Sequence, residues 1–519
     1  MSDMHQHQIE AFVRHETLPE LPPPASETGL VKWMRQNLFN GWFNTIMTIL
    51  AIYFIGRFVM FAMPWFYNGV WDAGSIRECR DILTAAGKST GACFAVLVDR
   101  WDHLLFGFKY PADQYWRPTL AFVLLLVAAA PALFYKYIPR KGLIFTALYP
   151  FIAFWLVWGG SLWVPLTILA AIIATFAVFR VVESLNVGMR TILAAIVGLA
   201  AAAGLAYLLF LGAKELWFIS NSVGTGSTLT LIAGLVFKAA SVFMFIFFVP
   251  MGIFVGYAIY NDAEDGGLVT LVTSLAAIYI MLAYLLGPIS GALNSIVPLE
   301  LQAVPSRDMG GYMLSLILGT VCVSLSIPLG IVLALGRQSN MPLIKGVCVV
   351  FIEFVRGVPL ITLLFVANVM LAYFMPPQSN FDLILRVIIM ITMFSSAYIA
   401  EVIRGGLAAL PKGQYEAADS LGLNYTQATR LIILPQALKI SIPGIVNVAV
   451  GLFKDTTLVS VISMFDIVGM IRGPIQQSTD WISIYWEVYL FAALVFFVVC
   501  YAISQYSQWL ERELATDHR

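Results

Sequence analysis

The chain has 519 residues, of which 60% are hydrophobic and 12% are charged, and its formal net charge is zero. An average globular domain carries about 25% charged residues, so this composition excludes an ordinary water-soluble protein and favours one that crosses a membrane repeatedly. The balanced charge gives no reason to expect nucleic acid as a partner.

Long apolar segments follow one another from residue 41 onwards. A spanning helix needs about 20 apolar residues, and on that criterion the sequence predicts an all-α, polytopic membrane protein with about twelve transmembrane helices. Residues 1–36, which lack a signal-peptide pattern, are predicted to form a weakly ordered cytosolic tail. The predicted spans are 41–66, 117–135, 143–160, 162–180, 190–212, 228–259, 268–287, 310–335, 343–374, 383–404, 436–462 and 484–507. The two longest, 228–259 and 343–374, must tilt, break or extend beyond the lipid.

Basic residues orient these spans. Lysine and arginine collect in alternate loops, and the positive-inside rule then places all of these loops in the cytoplasm. The clearest groups are Lys136, Arg140 and Lys141 after the second span and Arg404 and Lys412 after the tenth. With an even number of spans, the sequence predicts both termini on the cytoplasmic side of an inner (plasma) membrane.

The loop 67–115 lies outside in this topology and contains Cys79 and Cys93. Because the outer face is oxidising, we predict a disulfide between them, the alternative being two free thiols. The five cysteines and five histidines show no metal-ligand spacing in the apolar body, so we expect no metal site.

The stretch AAGKST at 85–90 ends like a phosphate-binding loop. That loop requires a glycine five residues before Gly87, and Ile82 stands there instead, with no buried strand before it. We therefore expect no ATP site and no cofactor in this chain.

Two pairs of charged residues interrupt apolar spans. Glu353 and Arg356 are three residues apart and share a helix face, which fits either a structural salt bridge or a role along a translocation path. Lys454 and Asp455 also fit either a structural salt bridge or a role along a translocation path. The side chains of adjacent helical residues point about 100° apart, so these two should contact different neighbours.

Residues 411–435 form a polar segment in this apolar chain. Pro411 suits a first helical turn, and Gly422 suits a left-handed helix end. Asn424 and Gln427 have the spacing of a capping box that begins a second helix, which Pro435 would close. The pattern predicts two short helices that meet at Gly422.

The same segment resembles the EAA motif of ATP-binding-cassette (ABC) importer permeases. EAADSLGL, beginning at Glu416, and IILP, ending at Pro435, fit that motif without gaps. FVRGVPLITLLF and LFKDTTLVSVISMFDIVG resemble the polar amino acid branch, and the combination is most similar to the larger permease subunit of general L-amino-acid importers.

The resemblance implies a type I importer fold whose five core helices are the last five spans. It implies that residues 411–435, which we call the coupling segment, insert into a cytosolic ATPase, with Glu416, Ala417, Ala418, Gly422 and Pro435 at the contact. It also implies a second permease subunit, an ATPase dimer that binds ATP and Mg²⁺, and a periplasmic amino-acid-binding protein. The chain itself would then be a permease and no enzyme.

These observations divide the chain into predicted segments. The permease core is 310–508, and the coupling segment lies within it. Before it lie the tail 1–36, the first two spans at 37–135 with their external loop, and the additional helices at 136–309, and after it lies a cytosolic tail at 509–519.

An ion-gradient-driven secondary amino acid transporter is the alternative, in which Glu353 and Arg356 would take part in transport. It leaves the coupling segment unexplained, and the two halves of the chain show no internal repeat of the kind common in such transporters. A membrane-bound enzyme is a weaker alternative, because no paired catalytic groups are visible.

Overall fold

A computed structural model describes residues 29–134, 136–185, 188–189, 191–193, 195–197, 267–370 and 382–515. Numbered over these residues, the α-helices are α1 Gly29–Asn37, α2 Trp42–Tyr67, α3 Ile76–Ala85, α4 Ala95–Asp99, α5 Trp101–Phe106, α6 Trp116–Leu133, α7 Leu143–Trp158, α8 Trp163–Ser184, α9 Gly267–Ile280, α10 Leu286–Ile296, α11 Gly311–Gln338, α12 Pro342–Gly357, α13 Leu360–Phe365, α14 Leu383–Ala408, α15 Gly413–Ser420, α16 Tyr425–Ala428, α17 Leu434–Asp455, α18 Ile467–Met470 and α19 Trp486–Ala515. The described strands are two short ones, β1 Gly160–Ser161 and β2 Glu300–Leu301. The predicted all-α class is confirmed.

Eight helices of the described part are long and apolar enough to cross a membrane, and a bent pair would make a ninth. They are Trp42–Tyr67, Ala112–Leu133, Arg140–Trp158, Trp163–Val182, Gly311–Gln338, Leu383–Ala408, Tyr425–Ile462 and Trp486–Glu513. Each overlaps a predicted span, so the polytopic membrane architecture is confirmed. The predicted span 268–287 corresponds to α9, a π-helical turn and α10. The predicted spans 190–212 and 228–259 lie outside the described residues, apart from 191–193 and 195–197.

The predicted long span 343–374 is broken. The segments Pro342–Gly357 and Leu360–Asn368 meet at 103°. Pro359 provides the reason, because a proline drives the residue before it out of the helical region, and Val358 is extended at φ −108° and ψ 133°. Residues 371–374 of this prediction lie outside the described part.

Both predicted tails contain more helix than expected. Residues 29–36 belong to α1, while 1–28 lie outside the described residues. The last helix continues through Ala515 instead of ending near 507, since the stretch 508–513 consists mostly of the good helix formers Gln, Leu, Glu and Arg. In this extension Lys136 forms an ion pair with Glu513, which ties the loop after α6 to the end of α19.

The chain folds as two compact units, residues 1–101 with 471–497, and residues 102–470 with 498–519. The domain limits drawn from the sequence stay predictions.

In the first unit, a cap of residues 68–101 is fastened to residues 480–487. Cys79 and Cys93 are joined by a disulfide, with Cα atoms 6.0 Å apart. The backbone N–H of Cys93 donates to the nearly buried carboxylate of Glu487 at 2.9 Å. The indole of Trp481, which is fully buried, donates to Asp99 at 2.7 Å. The disulfide therefore closes the cap on itself, and the two hydrogen bonds fasten it to Trp481 and Glu487.

A mass spectrum tests this disulfide directly. We expect non-reducing digestion to give one cross-linked peptide carrying Cys79 and Cys93, which reduction separates. Closing a loop of this length stabilises the folded state by about 3 kcal/mol, so the Cys79→Ser protein should melt several degrees lower. Two free thiols in freshly isolated protein would contradict the bond.

The core of the second unit is built around α14, which packs along α11 on one side and along α17 on the other. Small residues allow these helices to approach closely, as is usual between helices in a membrane. The buried core nearer the coupling segment consists of Ala334, Ile352, Ile399, Ala400, Ile403, Leu407, Leu410, Ile433 and Ala437.

A fully buried arginine connects two further segments of this unit. Arg117, at the start of α6, donates through Nε to the Leu156 carbonyl at 2.7 Å and through Nη1 to the Gln302 carbonyl at 2.8 Å. Beside it β1 pairs with β2 antiparallel, Gly160 opposite Leu301. A buried guanidinium group requires hydrogen-bond acceptors, and here two backbone carbonyls provide them. Arg117 therefore links the end of α7 to the residues that follow β2.

Candidate functional site

The first half of the coupling segment is α15, which ends in a Schellman turn. Gly422 has φ +71°, its N–H donates to the Asp419 carbonyl at 2.9 Å, and the N–H of Leu423 donates to the Ala418 carbonyl at 3.2 Å. This pair of bonds satisfies the last carbonyls of the helix and needs a residue without a Cβ at the left-handed position. The predicted helix end at Gly422 is confirmed.

The second half begins with the predicted capping box. The side chain of Asn424 accepts from the N–H of Gln427 at 2.8 Å, and the Gln427 side chain accepts from the N–H of Asn424 at 3.2 Å. Each side chain satisfies a donor that the first turn leaves open.

The prediction that Pro435 closes a short second helix is wrong. The helix continues from Tyr425 to Ile462 as one span, through a π-helical turn at Thr429–Ile433. Pro435 has no N–H to donate to the preceding turn, and the wider π turn absorbs this defect without ending the helix. The coupling segment is thus one short helix joined by a tight turn to a transmembrane helix.

The coupling segment has a packed face and an open face. Ala418 is completely buried, and Gln436 donates to Gln414 at 3.0 Å across the two helices. Glu416, Ala417 and Gly422 are exposed. The helix therefore rests on its own protein through Ala418 and leaves the other residues of the EAA motif accessible.

Apolar side chains add to this open face. Leu421 is 73% exposed and Tyr425 is 67% exposed, on either side of Gly422. Partial burial, and then the neighbouring Tyr425, raises the pKa of the Tyr415 phenol. An apolar rim around a turn with exposed carboxylates is typical of a protein–protein contact.

Glu353 and Arg356 belong to a larger group, which we call the ionic cluster. It consists of Arg337, Glu353, Arg356, Glu401 and Arg404. Glu353 is 3.9 Å from Arg356 and 2.9 Å from Arg337. The predicted pair thus takes part in a network across α11, α12 and α14, as the salt-bridge interpretation requires.

Lys454 and Asp455 are placed differently. They end α17, with Lys454 exposed and Asp455 half-buried. Within the part of the chain that the structure describes, no salt bridge joins either residue to a neighbour. A carboxylate in an apolar span without an ion pair normally faces a polar path or a partner.

Sequence reasoning missed three members of the ionic cluster, Arg337, Glu401 and Arg404. Glu401 and Arg404 have the same three-residue spacing as Glu353 and Arg356, so this signal was present in the sequence. Arg337 lies in the last turn of α11. Its partners lie on other helices, which no local pattern reveals.

The stretch AAGKST follows the helix α3, whereas a phosphate-binding loop follows a strand. The described residues contain no group of three or more His, Cys, Asp or Glu side chains that could hold a metal.

Comparison with known proteins gives relatives for nearly the whole chain. Residues 326–516 match the family model described as "Binding-protein-dependent transport system inner membrane component". A Rhodobacter capsulatus protein named "Glutamate/glutamine/aspartate/asparagine transport system permease protein BztC" is 45% identical over 98% of this chain and 99% of its own length. The Escherichia coli K12 "Inner membrane amino-acid ABC transporter permease protein YhdY" is 31% identical over 95% of this chain and 96% of its own length.

A solved structure also matches, described as "Crystal structure of an amino acid ABC transporter with histidines". It is 32% identical, with a TM-score of 0.36, over 39% of this chain and 92% of its own.

Proposed function

The chain belongs to the amino-acid ABC transporter permeases, within the family of binding-protein-dependent transport system inner membrane components, and we propose that it couples ATP hydrolysis by a separate cytosolic ATPase to the inward passage of L-amino acids. The Rhodobacter relative is named for glutamate, glutamine, aspartate and asparagine. We therefore propose amino acids with short acidic or amide side chains as the substrate class.

The coupling segment is the observation that carries this proposal. Its open face presents Glu416, Ala417 and Gly422, and its buried Ala418 anchors it to the membrane helices. We propose that the exposed residues contact the ATPase and that Ala418 transmits the contact through packing. Pro435, on the continuous helix Tyr425–Ile462, would set the direction in which that helix leaves the contact.

The partners follow from this arrangement. The chain would pair with a second permease subunit, bind an ATPase dimer on the cytoplasmic side and receive substrate from a periplasmic binding protein. ATP and Mg²⁺ would be bound by the ATPase, and the chain itself would carry neither a cofactor nor an ATPase site. Both termini and the coupling segment would lie in the cytoplasm.

For the translocation path, Lys454 and Asp455 are the stronger candidates. They end the apolar helix α17, and no described residue forms a salt bridge with either of them. Glu353 and Arg356 are already engaged in the ionic cluster, so we propose that they act by holding helices and not by contacting substrate.

Reconstitution tests the proposal. We expect proteoliposomes that contain this permease together with its ATPase, second permease subunit and binding protein to accumulate labelled glutamate or glutamine. Accumulation should require ATP on the side of the membrane where the ATPase is bound. It should persist when ionophores collapse ion gradients.

The secondary-transporter alternative makes the opposite prediction. Uptake by this chain alone, driven by a sodium or proton gradient and indifferent to ATP, would overturn the proposed function.

A further inference from the structure

Glu401 is the shared acceptor of the ionic cluster. Its carboxylate lies 2.6 Å from Arg404 on its own helix α14, 3.2 Å from Arg337 on α11 and 3.6 Å from Arg356 on α12. One side chain therefore ties three separate helices together. Its 24% exposure, against 53% for Glu353, makes it the less solvated of the two acids.

The charges in the cluster are unequal in number. Three guanidinium groups face two carboxylates, and Arg356 also lies over the ring of Tyr398, 5.6 Å from its centroid. Without Glu401, the three cations would share the single, more solvated carboxylate of Glu353. Like charges repel strongly where solvent is reduced, so the three helix ends would separate.

The cluster also lies close to the coupling segment along the chain. Glu401 is about two helical turns before the end of α14 at Ala408, and the coupling segment starts directly afterwards. Around it, the buried core joins Ala400 and Ile403 of α14 to Ile433 and Ala437 of the following helix. The segment and the inner end of α14 are thus joined through packed side chains.

We propose that Glu401 is a positioning residue that holds α11, α12 and α14 as one unit beside the coupling segment, so that movement of the segment displaces all three helices together. This inference rests on the proposed function. The three helices would move as one rigid body, so a motion that starts at the ATPase would reach helices that the ATPase does not touch. Without Glu401, α14 would follow the segment while α11 and α12 lagged behind.

The test compares uptake with hydrolysis in the reconstituted complex. For Glu401→Gln, we expect assembly with the ATPase and ATP hydrolysis to persist, while the amino acid transported per ATP falls about ten-fold. The matched control is Glu513→Gln, which removes the carboxylate of the Lys136–Glu513 ion pair and should leave this ratio unchanged.

A second variant separates charge balance from a simple loss of contact. In Glu401→Gln with Arg404→Gln, one cation leaves with the anion, so we expect part of the lost transport per ATP to return. A purely structural role for Glu401 predicts instead that removing a second ion-pairing side chain makes the defect worse, and this result would overturn the proposal.

Remaining outcomes are also decisive. Wild-type transport per ATP in Glu401→Gln, or uptake and hydrolysis falling in proportion, would overturn the inference. If Glu401→Gln does not assemble, Glu401→Asp decides, because its shorter side chain keeps the charge but cannot reach all three arginines. A wild-type ratio or failed assembly in Glu401→Asp overturns the inference, and a reduced ratio supports it.

A wild-type complex without ATP-driven uptake would contradict the proposed function before any variant is compared.

Discussion

Replacing Gly422 with glutamate is expected to lower ATP-driven uptake by more than about ten-fold while the permease still inserts and folds. The substitution acts on the open face of the coupling segment in two ways. At φ +71° any side chain costs about 1–2 kcal/mol of backbone strain. The new carboxylate also stands between the exposed Leu421 and Tyr425, where it would have to be buried against the ATPase.

The control for this substitution is Gly87→Glu. Gly87 has φ +67° and ends α3 with the same pair of backbone hydrogen bonds, and at both glycines a Cβ atom would meet nothing within 4 Å. The backbone strain is therefore matched, while the site belongs to the disulfide-bonded cap. We expect Gly87→Glu to retain the ATPase during purification and to transport normally.

The readouts are uptake into vesicles and co-purification of the ATPase. Glu416→Lys, which reverses an exposed charge of the same face, should show the same loss as Gly422→Glu. Normal uptake in both Gly422→Glu and Glu416→Lys would refute the assignment of this segment to ATPase coupling.

Replacing Gly406 with valine is expected to prevent α14 from packing against α17. A side-chain carbon at Gly406 would lie 2.6 Å from the carbonyl oxygen of Ala437 and would also collide with Ser441. The backbone atom cannot rotate away, so the two helices would have to separate along the core that supports the coupling segment. Overpacking of this kind costs about 3 kcal/mol, a large part of the stability of a typical protein.

Gly405 supplies the matched control, since it is the adjacent residue and has nothing within 4 Å of a side-chain carbon. The change in helix propensity from glycine to valine is the same at both positions. We expect Gly406→Val to yield little monodisperse protein in detergent and to melt well below the wild type, with Gly405→Val close to wild type. Equal melting of the two variants would show that the helices are not in close contact there.

Features set by local sequence were predictable. Apolar length located every described span, and the capping box and glycine turn were visible because Asn424, Gln427 and Gly422 act on backbone groups within a few residues. The break at Pro359 also has a local cause, and the sequence required that this long span tilt, break or extend.

Features set by contacts between distant residues were not predictable. Arg337 reaches Glu401 only because α11 and α14 pack side by side, and Arg117 is buried only because β2 returns to it. The role assigned to Pro435 failed for another reason. Proline usually ends a helix, but here a π turn at Thr429–Ile433 absorbs its missing hydrogen bond, and sequence pattern alone does not distinguish these outcomes.

The pairing of β1 with β2 bears on how this protein could have acquired its length. The chain leaves this point at Ser161 and returns to it at Glu300, where the two residues are partners across the strand pair. Segments whose ends meet can be added, lengthened or removed without changing the distance that the flanking chain must bridge. With Arg117 fixing the junction, the chain between Ser161 and Glu300 can change in length while the residues on either side of it keep their places.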